Sequence, residues 1–414
     1  MRILQVTPFY APAWAYGGPP RVAYELSREL VRRGHSVTVL TTDALDSHHR
    51  ASPAHEISGG IEVYRLRNLS NYLAWHRQIF LPRGLATFLR EHLHSFEIIH
   101  LHTVRTLQNI VVHRFATTYG IPYILSSHGS IPRIVRQRTL KAVFDWVGGR
   151  RLVQDAHRVI AQSSFEKSES EAAGAPGRKI SIVLNGVDAS MYENLPVRGG
   201  FIKSFGLDGQ RLVTYIGRLS AGKGLDYLLT AFRDIARESK DCTLVVAGED
   251  AGYKKQVIKL AKQFAISDRV ILPGFVTGPG KLQLFVDSDL VVYPASYESF
   301  GLVPMEALLC GRPIVVSRDS GCGELIQKAR AGITFPSGDV SLLRDAILIG
   351  LRGGESMSET VRRGRRFVIE NLAWNHIASE MEEIYRNAIV GEDGTDFPAK
   401  TGPVRDGLLP RKSK

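Results

Sequence analysis

The sequence predicts an α/β protein with two Rossmann-like domains, each a parallel sheet, and three observations carry that prediction. Short apolar runs alternate with stretches of helical periodicity along most of the chain, the pattern of parallel strands covered on both faces. At 414 residues the chain exceeds one ordinary hydrophobic core. The alternation is interrupted at Met191–Gly209, where Pro196, Gly199 and Gly200 read as a linker. The expected division is an N-terminal domain over 1–190, the linker over 191–209, a C-terminal domain over 210–371 and a helix over 372–390. The tail, 391–414, is rich in Gly, Pro, Asp and Lys and is predicted to be disordered.

In chain order, Arg2–Thr7 is an apolar strand, PFYAPAWAYGGPP a loop dense in glycine, proline and aromatics, and Arg21–Arg33 a helix. Glycines between strand and helix let the backbone approach a ligand, which singles out Gly17 and Gly18 against the plainer reading of a tight turn. Asp43, after the strand Val37–Thr42, stands where a dinucleotide fold keeps its ribose-binding acid. The loop GGPPR is not G-x-G-x-x-G, however, and it is too long for that motif, so an oxidoreductase is disfavoured. Strands at Ile61–Leu66, Ile98–His102 and Pro122–Ser127 and helices at Leu85–His94 and Leu107–Tyr119 continue the alternation. Ligands of parallel sheets bind at the carboxyl ends of strands, which places His128, in SSHGS, at a functional edge, whereas His100 and His102 read as structural. Arg133–Arg158 carries seven Arg or Lys against two Asp, interleaved with apolar residues. That composition fits either an amphipathic helix on an anionic membrane or a solvated face over a core stripe. Val159–Gln162 is a strand, SSFEKSES a capped helix start, and Ile180–Leu184 a strand running into the turn NGVD.

The second half repeats the architecture without an internal sequence repeat. Leu212–Ile216 is a strand, GRLSAGKG a loop and Leu225–Arg237 an amphipathic helix; strands follow at Thr243–Ala247, Arg269–Leu272, Leu290–Tyr293 and Pro313–Val316. Arg218 and Lys223 project from the loop, where they could neutralise a phosphate or be two surface cations; G-x4-G-K-[ST] is absent. The helix Leu372–Ala388 keeps Trp374, Ile377, Met381 and Ile384 on one side.

The most informative stretch is YPASYESFGLVPMEALLCGRP, Tyr293–Pro313. Pro304 suits the first helical position and Gly311 the stop, so the amides of Phe300, Gly301, Leu302 and Val303 are expected at a helix N-terminus that favours an anion such as phosphate. Glu298 is then on the preceding loop and Glu306 in the first turn, where a carboxylate could bind vicinal sugar hydroxyls or simply complement the helix dipole.

The E-x7-E pattern ESFGLVPME, with ALLCGRPIVVSRDSGCGELI after it, resembles the retaining nucleotide-sugar glycosyltransferases of family 4. The resemblance reaches from the N-terminus to about Ala388. It implies two facing domains of the glycosyltransferase-B type, with Glu306 on the donor ribose, Glu298 by the donor sugar and the Gly301–Val303 amides on sugar and phosphate. It further implies Arg218 and Lys223 on the diphosphate, His128 near the donor sugar, Gly17 and Gly18 facing phosphates and acceptor, and a last helix crossing back to the first domain. Gly321 and Gly323 flank Cys322 where the family shows a glycine pair, a departure that leaves the contacts of Glu324 unassigned.

Composition narrows the remaining classes. A net charge of +12 favours an anionic partner, and without a zinc-finger spacing or an aromatic-basic ribonucleoprotein motif nucleic acid is disfavoured. No apolar run approaches the ~18–20 residues that span a bilayer, Met1–Pro8 lacks a signal-peptide core, and Cys242, Cys310 and Cys322 show no ligand spacing. These features suggest a cytosolic chain, with the inner face of a membrane a candidate surface for 133–158. The expected reaction moves a sugar from a nucleoside-diphosphate sugar to a hydroxyl of a saccharide, a lipid-linked acceptor or a small molecule. Retention of configuration is expected, with no metal and no cofactor beyond the donor. A nucleotide-sugar epimerase, a phosphorylase and a non-catalytic nucleotide-sugar binder are the alternatives.

Overall fold

The computed structural model describes residues 1–131 and 144–391. Two parallel sheets form the frame. The first contains β1 (Arg2–Val6), β2 (Ser36–Thr42), β3 (His55–Ser58), β4 (Ile61–Leu66), β5 (Ile98–His102), β6 (Tyr123–Ser126), β7 (Arg158–Ala161) and β8 (Ile180–Ile182), in the order β3-β4-β2-β1-β5-β6-β7-β8. Only β3 against β4 is antiparallel, a hairpin closed around Gly59 and Gly60. It was not foreseen, because HEIS is short, polar and largely exposed, as an edge strand can be. The second sheet contains β9 (Arg211–Ile216), β10 (Cys242–Ala247), β11 (Val270–Gly274), β12 (Leu290–Tyr293), β13 (Ile314–Ser317) and β14 (Ile333–Phe335), in the order β11-β10-β9-β12-β13-β14. Strands such as β12 and β13 are buried along their whole length, which is why they read as continuous apolar runs and not as an alternation.

Met191–Gly209, expected as a linker, belongs to the second core. Tyr192, Phe201 and Leu207 are buried there, and the Phe201 and Ile202 amides of the short helix Gly200–Ser204 donate to the Asp287 carboxylate. The stretch between those buried residues, with Pro196 and Gly199, is mostly exposed, Val197 among it. The helix Trp374–Val390 lays Trp374, Ile377, Ala378, Met381, Tyr385 and Ala388 on the first domain, against Ile3, Val22 and Leu26 among others. Of the basic segment 133–158, residues 133–143 lie outside the described residues, as does the tail 392–414. In the described remainder Trp146 is 85% exposed. Among the described residues no helix is long and apolar enough to cross a membrane.

Candidate functional site

The carboxyl ends of the two sheets face each other across a cavity of about 510 Å³. Gly17, Gly18, His128, Arg218, Lys223, Glu298, Phe300, Gly301, Leu302, Val303 and Glu306 all line it, so residues chosen from separate motifs converge in space. The Gly17–Gly18 loop meets the second domain directly. Arg218 Nε lies 3.7 Å from where a side chain on Gly17 would begin, and a Leu302 methyl 3.3 Å from the corresponding point on Gly18.

After β12 the chain turns through Glu298 into the helix Leu302–Leu309, which begins two residues earlier than expected. Gly301 is its N-cap, so Pro304 is the third helical residue and Glu306 the fifth, beyond the first turn. The change follows from the left-handed backbone of Gly301, φ +78°, which lets the helix start at Leu302, so that the Leu302 and Val303 amides, free of intrahelical partners, belong to residues lining the cavity. A Cβ at Gly301 would lie 2.7 Å from Cys322 Sγ. The Phe300 side chain is core, 2% exposed, leaving only its backbone for the cleft.

Each glutamate is matched by a lysine. Glu298 accepts from Lys223 Nζ at 2.8 Å and from the Tyr293 hydroxyl at 2.7 Å. Burial opposes its ionisation, but the Lys223 charge and hydrogen bond, the Tyr293 hydroxyl and Arg218 outweigh that and hold the carboxyl below its usual range. Lys223 is therefore already paired, unlike Arg218, which has no carboxylate partner among the described residues. Glu306 is buried, 4% exposed, and bonded to Lys281 Nζ. Sequence reasoning passed over Lys281. It sits on the helix Gly278–Asp287 in no recognisable motif, and only the fold brings it to a carboxylate 25 residues away.

His128 occupies left-handed backbone, φ +47°, at the end of β6. The buried Glu166 carboxylate pins this turn, accepting from Ser127 Oγ at 2.6 Å, from the Gly129 amide and from the Gln162 amide. Both imidazole nitrogens are engaged inside the protein: Nε2 with His102 Nδ1 at 3.0 Å and Nδ1 with Gln162 Nε2 at 2.7 Å. Burial pushes His128 down to about 4. As placed, it offers the cavity carbon edges and backbone, with no free ring nitrogen for proton transfer. His100 and His102 are buried behind it, as expected of strand residues.

The two domains also meet directly. Glu324 accepts from the Ser164 and Phe165 amides at 3.3 and 3.0 Å, so an acid of the second domain caps the helix Ser164–Ala172 of the first. Ser299 Oγ donates to Gln162 Oε1 across the same seam at 3.1 Å.

This arrangement, two Rossmann-like domains with an anion-ready helix start and paired lysines in the seam, is that of a glycosyltransferase. Family comparison agrees: glycosyltransferase family 4 matches residues 16–191 and glycosyl transferases group 1 residues 201–367. Together the two matches span most of the chain, which belongs to this family. An uncharacterized glycosyltransferase of Methanocaldococcus jannaschii is 27% identical over 94% of this chain and 99% of its own length. The glycogen synthase of Mycobacterium tuberculosis is 25% identical, with 99% of this chain and 100% of its own covered. Among solved structures, sucrose-phosphate synthase from Thermosynechococcus elongatus superposes with a TM-score of 0.75 at 20% identity, over 94% of this chain and 99% of that one. Anabaena HepE in complex with UDP-glucose also scores 0.75 at 20% identity, over 94% and 100%.

Proposed function

We propose that this glycosyltransferase takes a nucleoside-diphosphate sugar and passes the sugar to an acceptor hydroxyl with retention of configuration, without a divalent metal or any further cofactor. The convergence of Arg218, Lys223, Lys281 and the Leu302 and Val303 amides on one cavity carries this reading. UDP-glucose in the HepE structure, a protein of the same architecture, supports a nucleotide-sugar donor. In this reading the leaving diphosphate gains negative charge as the glycosidic bond breaks, and Arg218, Lys223 and the helix start stabilise it in a partly dry cleft. Glu306, fixed by Lys281, accepts from ribose hydroxyls. Glu298, kept ionised by Lys223, faces the sugar, and departure and attack occur on one face of it, since among the described residues lining the cavity no side chain stands free as a covalent nucleophile.

Release of nucleoside diphosphate from a panel of nucleotide sugars, with and without added acceptors, identifies the donor. Arg218→Ala should then lower turnover by about 10²–10³. Activity that vanishes in excess chelator and returns with magnesium or manganese would overturn the metal-free part. The acceptor side has a second component, an anionic membrane surface met through 133–158. Exposed Trp146, Arg150 and Arg151 support it, and each basic residue near a charged leaflet adds about 1 kcal/mol. Co-sedimentation with anionic vesicles that weakens as salt rises is the expected result. Equal recovery with neutral vesicles would remove the membrane from the reading.

A further inference from the structure

A chain of polar side chains, all buried except the half-buried His128, runs from the donor side of the cleft through the first domain to the last helix. Ser299, between Glu298 and Phe300, reaches Gln162 Oε1. Gln162 is 4% exposed, and its amide nitrogen meets His128 Nδ1 at 2.7 Å and Asn185 Oδ1 at 2.9 Å. His128 Nε2 meets His102 Nδ1 at 3.0 Å, and His102 Nε2 meets Gln5 Oε1 at 2.7 Å. Gln5 Nε2 reaches the Tyr385 hydroxyl at 3.3 Å, which lies 2.7 Å from His100 Nδ1, while His100 Nε2 is 2.7 Å from Ser126 Oγ. The His100 and His102 rings pack against each other with centroids 4.2 Å apart, whereas His102 and His128, with centroids 5.3 Å apart and planes only 6° from parallel, lie edge to edge along their 3.0 Å contact.

A neutral imidazole has one donor and one acceptor nitrogen, so each contact in such a chain dictates the next. With the Gln162 oxygen on Ser299 and both its N–H groups spent on His128 and Asn185, His128 Nδ1 must accept. His128 then donates from Nε2 to His102 Nδ1, and His102 donates from Nε2 to Gln5 Oε1. Gln5 donates to Tyr385, Tyr385 donates to His100 Nδ1, and His100 donates from Nε2 to Ser126. All three rings carry their proton on Nε2. Turning the Gln162 amide over reverses the whole chain and puts every proton on Nδ1. The one mixed arrangement that keeps every contact, with the Tyr385 oxygen accepting from both Gln5 and His100, leaves the fully buried Tyr385 hydroxyl proton without an acceptor and is disfavoured for that reason. Burial depresses all three imidazoles, denying them the charged form that could break the rule.

We infer that Gln162 is a positioning residue whose amide orientation, set in the seam between the domains, fixes the tautomers of His128, His102 and His100 together and so fixes which nitrogen anchors the His128 ring at the cleft. The inference rests on the placement of His128 beside the transferred sugar, but its test needs no substrate.

Imidazole 15N spectra of the full chain, labelled at histidine, read the tautomers directly. The wild type should show Nε2–H at His100, His102 and His128. In Gln162→Glu the carboxylate can only accept, so all three signals should move to Nδ1–H in concert, including that of His100, which Gln162 does not touch. Tyr385→Phe removes the link between Gln5 and His100. It should leave His102 and His128 on Nε2–H while His100 alone becomes a mixture, which keeps the idea testable if the glutamate variant folds poorly. Opposite tautomers on His102 and His128 in the wild type, a Gln162→Glu spectrum in which His128 shifts alone or nothing shifts, or an unaltered His100 in Tyr385→Phe would overturn it.

Discussion

Glu306 and Glu298 look alike in sequence and differ in what they neutralise. Removing Glu306 takes away a buried acceptor that fits ribose and frees Lys281, so Glu306→Ala should weaken binding of free nucleoside diphosphate. A charge-assisted hydrogen bond of roughly 1.5–3 kcal/mol corresponds to about one to two decades of affinity. Removing Glu298 instead releases Lys223 from its carboxylate, 2.8 Å away. Glu298→Ala should therefore bind the nucleoside diphosphate as tightly as the wild type or more so, while transfer collapses. Calorimetric titration of UDP, ADP and GDP into both variants checks this, and wild-type affinity in Glu306→Ala would remove that residue from the nucleotide site.

At the scale of single elements, the helix Leu302–Leu309 depends on how it begins. Gly301 and Gly311 flank it with similar backbone angles, φ +78° and +70°, but nothing lies within 4 Å of a Cβ on Gly311, whereas one on Gly301 would strike Cys322. Gly311→Ala should carry only the strain of a left-handed residue, about 1–3 kcal/mol. Gly301→Ala should cost at least as much and also displace the Leu302 and Val303 amides, weakening nucleoside diphosphate by tenfold or more. Chemical denaturation of both variants, paired with nucleotide titration, separates the two effects. Equal binding in both would mean that this helix start does not hold the phosphate.

Two properties belong to the whole molecule. The Glu324 cap joins the domains, so Glu324→Ala should let them drift apart. Small-angle scattering should show a larger radius of gyration for the variant, shrinking toward wild type in saturating UDP; identical scattering would make the cap incidental. The buried histidines predict how stability depends on pH. His100 and His128 are held near 3 and 4 against an unfolded value of 6.5, and His102 is also held well below 6.5, so below that pH the unfolded chain binds more protons. Stability is then full above about pH 6.5 and falls on acidification, by up to about 1.4 kcal/mol per pH unit for each proton taken up. Glu166, raised by burial despite its hydrogen bonds, titrates in the opposite sense and offsets part of the fall nearer pH 4.5. Denaturant unfolding at pH 7.5, 6 and 5 should show the decline, and His100→Gln should flatten it; constant stability over that range would contradict neutral burial.

Much of this was legible in the chain because it is local. Strands such as Ile98–His102 announce themselves by apolar runs, the capped start of Ser164–Ala172 by its serine and glutamate, and the donor-side loop by two glutamates and a glycine within nine residues. Local signals leave Arg218 and Lys223 open, and it is the family resemblance that points them to the diphosphate; His128 is marked by its place at a strand end and by the same resemblance. Tertiary structure alone decided what each of them meets. Lys281 against Glu306, Glu324 on the amides of Ser164 and Phe165, and Gln162 between Ser299 and His128 are pairs distant in the chain, with no periodicity or motif to join them. The start of the helix at Leu302, and not at Pro304, was likewise a matter of the backbone: a proline tolerates any position in the first turn, and Gly301, able to adopt φ +78°, chose the one that faces the cleft. Sequence determines which groups are available and where the chain can bend. Their charge state, partner and orientation are set only when two sheets close on each other and exclude water from between them.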